Sequence, residues 1–157
     1  MSSAQDGPRH WCVTTGPDNL ARTAELGWEL QGLKSRRGPT ARALRAGDTI
    51  TYYVTGAKAF GAVVEVTGEA FEDHSPIWVG KKPDEDYPWR FPIRHLAGSA
   101  DEADWVPVVD LLDGLEHPRR WPPERWHLAF QGNIREWPAA DAELVRSALS
   151  ESAGQRA

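Results

Sequence analysis

Lys34 to Arg45 carry five basic residues, Lys34, Arg36, Arg37, Arg42 and Arg45, and no acid. Ser35 stands inside the cluster and Gly38-Pro39 interrupts it. Cations beside a hydroxyl on a Gly-containing segment suit a phosphate or a polar base edge. The rest of the chain is acidic: 18 Lys and Arg face 23 Asp and Glu, for a net charge of −5. The acids gather at 65–73, 84–86, 101–104 and 110–116. That balance excludes a general salt-driven coat on nucleic acid and suits a focused anionic ligand. A solvated helix face is the alternative reading of the cluster.

Eight tryptophans in 157 residues supply the second chemical resource, flat aromatic surface. Most of them are expected to cover a small sheet under irregular loops, and two or three are enough for a pocket. Catalytic signals are sparse. Asp73-His74 is an adjacent acid–base pair, but adjacency alone orients nothing, and no GxSxG nucleophile motif accompanies it. GPTARALRAGD lacks a GK[ST] ending and follows no predicted strand. The five histidines are scattered, and the lone Cys12 excludes an intramolecular disulfide or a multi-cysteine zinc site. No metal, cofactor or catalysis is therefore expected. A hydrolase would have to rest on His74. A protein-interaction adaptor would use Trp121 and Trp126 in the Trp/Pro-rich stretch 117–126. The single cysteine, the absence of an apolar signal region and the lack of a membrane-length apolar run predict a cytoplasmic protein with no membrane partner.

The elements that must hold these residues are organised around 47–67, GDTITYYVTGAKAFGAVVEVT. Ile50, Tyr52 and Val54 alternate with Thr49, Thr51 and Tyr53, the period of a half-buried strand. Residues 55–59 make a hairpin connection, and 60–66 reads as a strand buried on both faces. Upstream, HWCVTT at 10–15 predicts a central strand with Trp11 and Val13 on one face, and 18–26 a helix ended by Gly27. Gly27, Gly32 and Gly38-Pro39 break the following stretch into short pieces, a loop carries 33–37, and Thr40 caps a short helix to Arg45. Downstream, 69–76 is an acidic loop and 80–86 a Gly/Pro/charge-rich one. Pro88 and Pro92 predict an edge strand at 87–95. Residues 106–115 read as a short strand turning into a helix, 117–126 as irregular and 127–130 as the last strand. A final helix covers 139–150 with Leu144, Val145, Ala148 and Leu149 on its buried stripe. Residues 1–8 are read as a disordered lead-in, 9–150 as one domain and 151–157 as a flexible tail. The pattern is α+β, a mixed β-barrel of about six strands with short peripheral helices.

Several segments, in this order, resemble EVE domains, a branch of the PUA-like superfamily: HWCVTT, GLKSRR, LRAGDTITYYVTGAKAFGAVVEVT, FEDHSPIW, YPWRFPI and AFQGNIREWPAADAELVRSAL. Together they cover 10–149. The resemblance implies a small PUA-like barrel with a concave pocket on one side. It is related to YTH domains, which read a methylated adenine in an aromatic cage. EVE domains are implicated in recognising modified bases in DNA or RNA, so the expected partner is a strand carrying a modified base. By similarity the pocket is lined by Thr14 and Thr15, the GLKSRR loop, and the loops around Trp78 and 87–90. Trp28 and Trp78 are then the cage candidates, because a base taken from its stack needs new stacking, about 1–3 kcal/mol per aromatic face. Ser35 is placed to bond a base edge, and Lys34 and Arg36 to hold flanking phosphates. Arg90 either faces a phosphate or pairs with Glu65 or an acid of the FEDHSP loop. Asn133 either reads a base edge or stabilises the turn after Gly132.

Overall fold

The computed structural model describes residues 7–156, and the first six residues of the expected lead-in lie outside the described residues. The hairpin at mid-chain is built as expected, from β3 (Thr49–Val54) and β4 (Ala59–Val66). Asp48 fixes where it starts. Its buried carboxylate accepts from the backbone N–H of Arg9 (3.0 Å) and of Arg45 (3.1 Å), and from the Trp11 indole (3.2 Å). One side chain thus ties the hairpin to both preceding elements. The pairing steps from Tyr52–Ala62 to Tyr53–Phe60, so Gly61 is an extra residue that bends β4.

Six strands form one curled sheet in the order β2 (Leu30–Leu33), β6 (Trp89–Gly98), β4, β3, β1 (His10–Thr15), β8 (Ile134–Glu136). Two-residue strands β5 (Phe71–Glu72) and β7 (Val106–Pro107) pair with β6 and β4. β1 runs parallel to β3, and the other neighbouring pairs are antiparallel. A parallel pair needs a crossover. Here α1 (Pro17–Glu25), β2 and α2 (Gly38–Ala43) supply it. The sequence predicts a mixed α+β barrel of about six strands, and the observed architecture is of that class, its six main strands curled into a half-barrel.

Two apolar cores follow from strand alternation. Trp11, Val13, Tyr52, Val64 and Phe91 point to the concave side, where Leu20 of α1 joins them. Cys12, Tyr53, Val63 and Ala97 point outward, beneath Val145 and Leu149 of α3 (Ala139–Arg156). Leu144 and Ala148, expected on that stripe, are only partly buried.

Four local expectations are corrected. β6 is not an edge strand, since β2 and β4 flank it. Pro92 is tolerated because it sits where β4 has just ended. Its carbonyl still accepts from Thr67 N–H (3.0 Å), and Ile93 N–H bonds Glu29 on the other side (3.0 Å). Residues 30–33, divided by Gly32 in sequence, are strand β2. The helix expected from Thr40 begins at Gly38 and ends at Ala43, with Pro39 in its first turn and Arg37 as N-cap. Residues 127–130 are not a strand but the end of a 3₁₀ run, Pro123–Phe130, and the last strand is β8. Trp126, Ala129 and Phe130 share the helical i, i+3, i+4 spacing and all pack into the outer core. Phe130 stacks on Tyr53 with centroids 4.6 Å apart.

Candidate functional site

A cleft of about 490 Å³ opens where β1 ends and α1 begins. The parallel β1–β3 pair positions it, because the chain must leave β1 there to make its crossover. Thr14, Thr15 and the first turn of α1 form one wall, Gln31 and Gly32 of β2 the floor, and Trp78–Lys81 with Tyr87 the far side. Gly132 and Asn133 close the rim.

Trp78 is held on three sides. Its ring lies against Gly32, where a Cβ would come within 2.6 Å of Cζ3, so only glycine admits it. The Arg90 guanidinium carbon sits 5.2 Å from its centroid. Its indole N–H donates to Thr23 Oγ1 (3.0 Å). Thr23 donates in turn to Gln31 Oε1 (2.9 Å), which also accepts from the Tyr52 hydroxyl (2.7 Å). A hydrogen-bonded chain therefore runs from the concave core to the cleft. Trp78 and Tyr87 are 5% and 9% exposed, so they make one aromatic wall and not an open cage. Burial, then the nearby Glu85 charge, raises the Tyr87 phenol above its ordinary range.

The segment 73–87 is pinned onto the barrel. Arg90, 1% exposed, donates from Nε to Tyr87 O (3.1 Å), from Nη1 to Ser75 Oγ (2.8 Å) and from Nη2 to Ser75 O, with Asp73 at 3.5 Å. Asn19 grips Val79 through both amide atoms, donating to its carbonyl and accepting from its N–H (2.9 Å each). Lys34 pairs with Glu85 at 3.0 Å. The Lys82 N–H and then the Lys34 ammonium hold the Glu85 carboxyl below its usual range.

Charge is focused here. Arg22, Lys34, Arg36 and Lys81 line the cleft against Asp18, with Lys34 also paired to Glu85. The opening turn of α1 adds the N–H groups of Asp18 and Asn19, which receive no side-chain cap, while Pro17 has none and Leu20 gives its own to Gly16 O (3.1 Å). An acidic chain thus presents one anion-favouring cleft.

A family model described as the EVE domain matches residues 9–143. The chain belongs to the EVE domain family. A UPF0310 protein of Pyrococcus abyssi is 26% identical over 148 residues, covering 89% of this chain and 99% of that one. Among solved structures, a hypothetical protein from Leishmania major superposes with a TM-score of 0.57 at 16% identity, over 97% of this chain and 99% of the other. The YTH domain-containing protein Mmi1, solved in complex with RNA, superposes with a TM-score of 0.66 at 8% identity, over 96% and 86%. At these identities the likeness is one of fold.

Within this EVE domain the residues singled out in sequence separate into two groups. Thr14, Thr15, Lys34, Arg36, Trp78 and Asn133 meet in the cleft. Trp28, Ser35 and Arg90 do not line it. Trp28 takes a left-handed backbone (φ 58°) after Gly27 and packs on the concave core, 6.2 Å from Tyr52 and 5.3 Å from His95 between centroids. Ser35 is exposed and offers its carbonyl to the Trp89 indole (2.8 Å). Arg90 makes the pairing with the FEDHSP loop, through Asp73, while Glu65 pairs with Arg94. The Thr14 hydroxyl is spent on Phe130 O (2.5 Å). The backbone carbonyl of Asn133 accepts from the Thr14 N–H (2.9 Å), and its side-chain Oδ1 is buried without a partner among the described residues.

Sequence reasoning missed Asn19, Arg22, Gln31 and Lys81. Their signal is the i, i+3 pair Asn19/Arg22 on a helix face that turned out to border the cleft. Gln31 gave no sequence signal beyond being polar beside Gly32.

His74 and the Trp/Pro-rich stretch fall elsewhere. His74 is exposed between Glu72 (2.6 Å) and Asp86 (2.5 Å), with both ring nitrogens engaged. Trp121 and Trp126 are partly buried on the outer core, and Arg135 covers Trp121 at 5.7 Å. Among the described residues no helix is long and apolar enough to cross a membrane.

Proposed function

We propose that this EVE domain binds single-stranded nucleic acid by taking one base, carrying a modification, into the cleft, without chemistry on it. The observation that supports this most directly is the coincidence of an aromatic wall, a buried unpartnered amide oxygen and four cations in one concavity of nucleotide size. The Trp78–Tyr87 wall takes the base, Asn133 meets its polar edge, and Lys34, Arg36 and Lys81 hold the flanking phosphates. The Mmi1 neighbour, solved with RNA, is in keeping with a nucleic-acid partner for this fold.

The test is tryptophan quenching with short single strands of DNA and RNA, each carrying one adenine or cytosine, plain or methylated, at two salt concentrations. A preference for one modified base that persists at high salt is expected, and Trp78→Phe should reduce it. Arg36→Ala should weaken all strands alike and lower the salt slope by about one. Equal losses for plain and modified strands in both variants would leave only electrostatic attraction.

A further inference from the structure

The structure assigns to Gln31 the role of a specificity-determining hydrogen-bond donor in the cleft, one that requires an acceptor on the bound base. The assignment rests on the base-binding reading above. Gln31 lines the cleft yet is only 6% exposed. Its amide has a single orientation. Nε2 lies 2.8 Å from the carbonyl of Gly32, and a carbonyl only accepts, so nitrogen must face it. Oε1 is then turned to the hydroxyls of Tyr52 and Thr23, at 2.7 and 2.9 Å; Tyr52 donates to it, and Thr23 does so in preference to its longer contact with Asn19 O (3.3 Å). The Thr23 hydroxyl can do so because it accepts from the Trp78 indole.

Both lone pairs of Oε1 are used, and one of the two Nε2 hydrogens is used. What Gln31 can offer an occupant is one N–H and no acceptor. A glutamine free to flip would serve either polarity of base edge, whereas this one is fixed by the barrel core. The cleft therefore favours an edge with an acceptor at the floor. A base whose acceptor is removed leaves the Gln31 N–H buried and unpaired, a loss that stacking does not repair.

Deaza bases test this, since replacing a ring nitrogen by C–H deletes an acceptor while leaving shape, charge and stacking in place. Short single strands carrying central adenine or cytosine, plain or methylated, are compared with their 1-, 3- and 7-deazaadenine and 3-deazacytosine counterparts, and with 2-thiocytosine for the carbonyl acceptor. For the strand that binds best, one replacement is expected to weaken binding about tenfold. In Gln31→Met, which keeps the length of the side chain, that penalty should vanish, the double-mutant signature of a direct contact. Every analogue binding like its parent overturns the assignment using native protein alone, whether or not Gln31→Met folds. A penalty that persists unchanged in folded Gln31→Met also overturns it. Equal binding of native protein to intact and abasic strands removes the base-binding reading itself, and the assignment falls with it.

Discussion

At the scale of single residues, the cleft depends on an absence. Gly32 has no side chain, and Trp78 fills the space that one would occupy. A Cβ there would also stand 3.0 Å from the Tyr87 carbonyl, which is backbone and cannot swing away. Gly32→Ala is therefore expected to cost about 1–3 kcal/mol of stability through overpacking. It should also displace the Trp78 ring, altering its fluorescence and weakening ligand binding more than the stability loss alone explains. A variant with unchanged unfolding midpoint and unchanged binding would contradict this packing. Residues such as Lys34, Arg36 and Trp78 were legible in sequence because charge clusters and aromatics announce themselves. Gln31 and Asn133 were harder, since their roles depend on which hydrogen-bonding atoms the fold leaves unspent. Trp28 misled because its destination is set by the left-handed turn after Gly27, which its own residue type does not report.

At the scale of elements, the outer layer hangs on one carboxylate. Asp141, in the first turn of α3, is fully buried and accepts from the backbone N–H groups of Glu116 and His117 at 2.8 Å each. It thereby joins α3 to the 3₁₀ turn His117–Arg120. Asp141→Ala strands two donors, and a loss of about 2–4 kcal/mol in denaturant unfolding is expected. A change under 0.5 kcal/mol would show that water replaces the carboxylate. The strands of the hairpin and β1 were readable because alternation and burial coincide there. β6 was misread because Pro92 signals an edge unless one knows that β4 ends opposite it. The 123–130 run was misread because four residues with an apolar end suit a strand, while the wider i, i+3, i+4 pattern from Trp126 suits a helix. β2 was lost because its glycine, read as a break, is the floor of the cleft.

At the scale of the whole molecule, two histidines shape the pH profile in opposite senses. The Glu72 and then the Asp86 carboxylates raise the His74 imidazole above its ordinary 6.5. Its stabilising contribution is full below pH 6.5 and is lost as pH rises through the raised value. Burial pushes His117 below 6.5, with its Nε2–H given to Ala129 O (3.1 Å). Its neutral form belongs to the folded state, so stability is present above pH 6.5 and is lost as pH falls through the lowered value. From these two groups, unfolding midpoints should rise slightly on acidification toward pH 6.5 and decline below it. Glu72→Gln should flatten the alkaline side only. A profile in which Glu72→Gln changes the acid limb would contradict the assignment.

The whole molecule also carries the central claim, that an acidic domain presents one cationic, aromatic-walled cleft in which a base is received. Its most direct measurement is the affinity of the protein for one single strand, DNA or RNA as the binding panel selects, intact or with a single abasic site, at low and high salt. A buried base should be worth about tenfold or more, a difference that survives high salt while overall affinity falls. Identical affinities for the intact and abasic strands at both salt concentrations would mean that the cleft receives phosphate charge and no base.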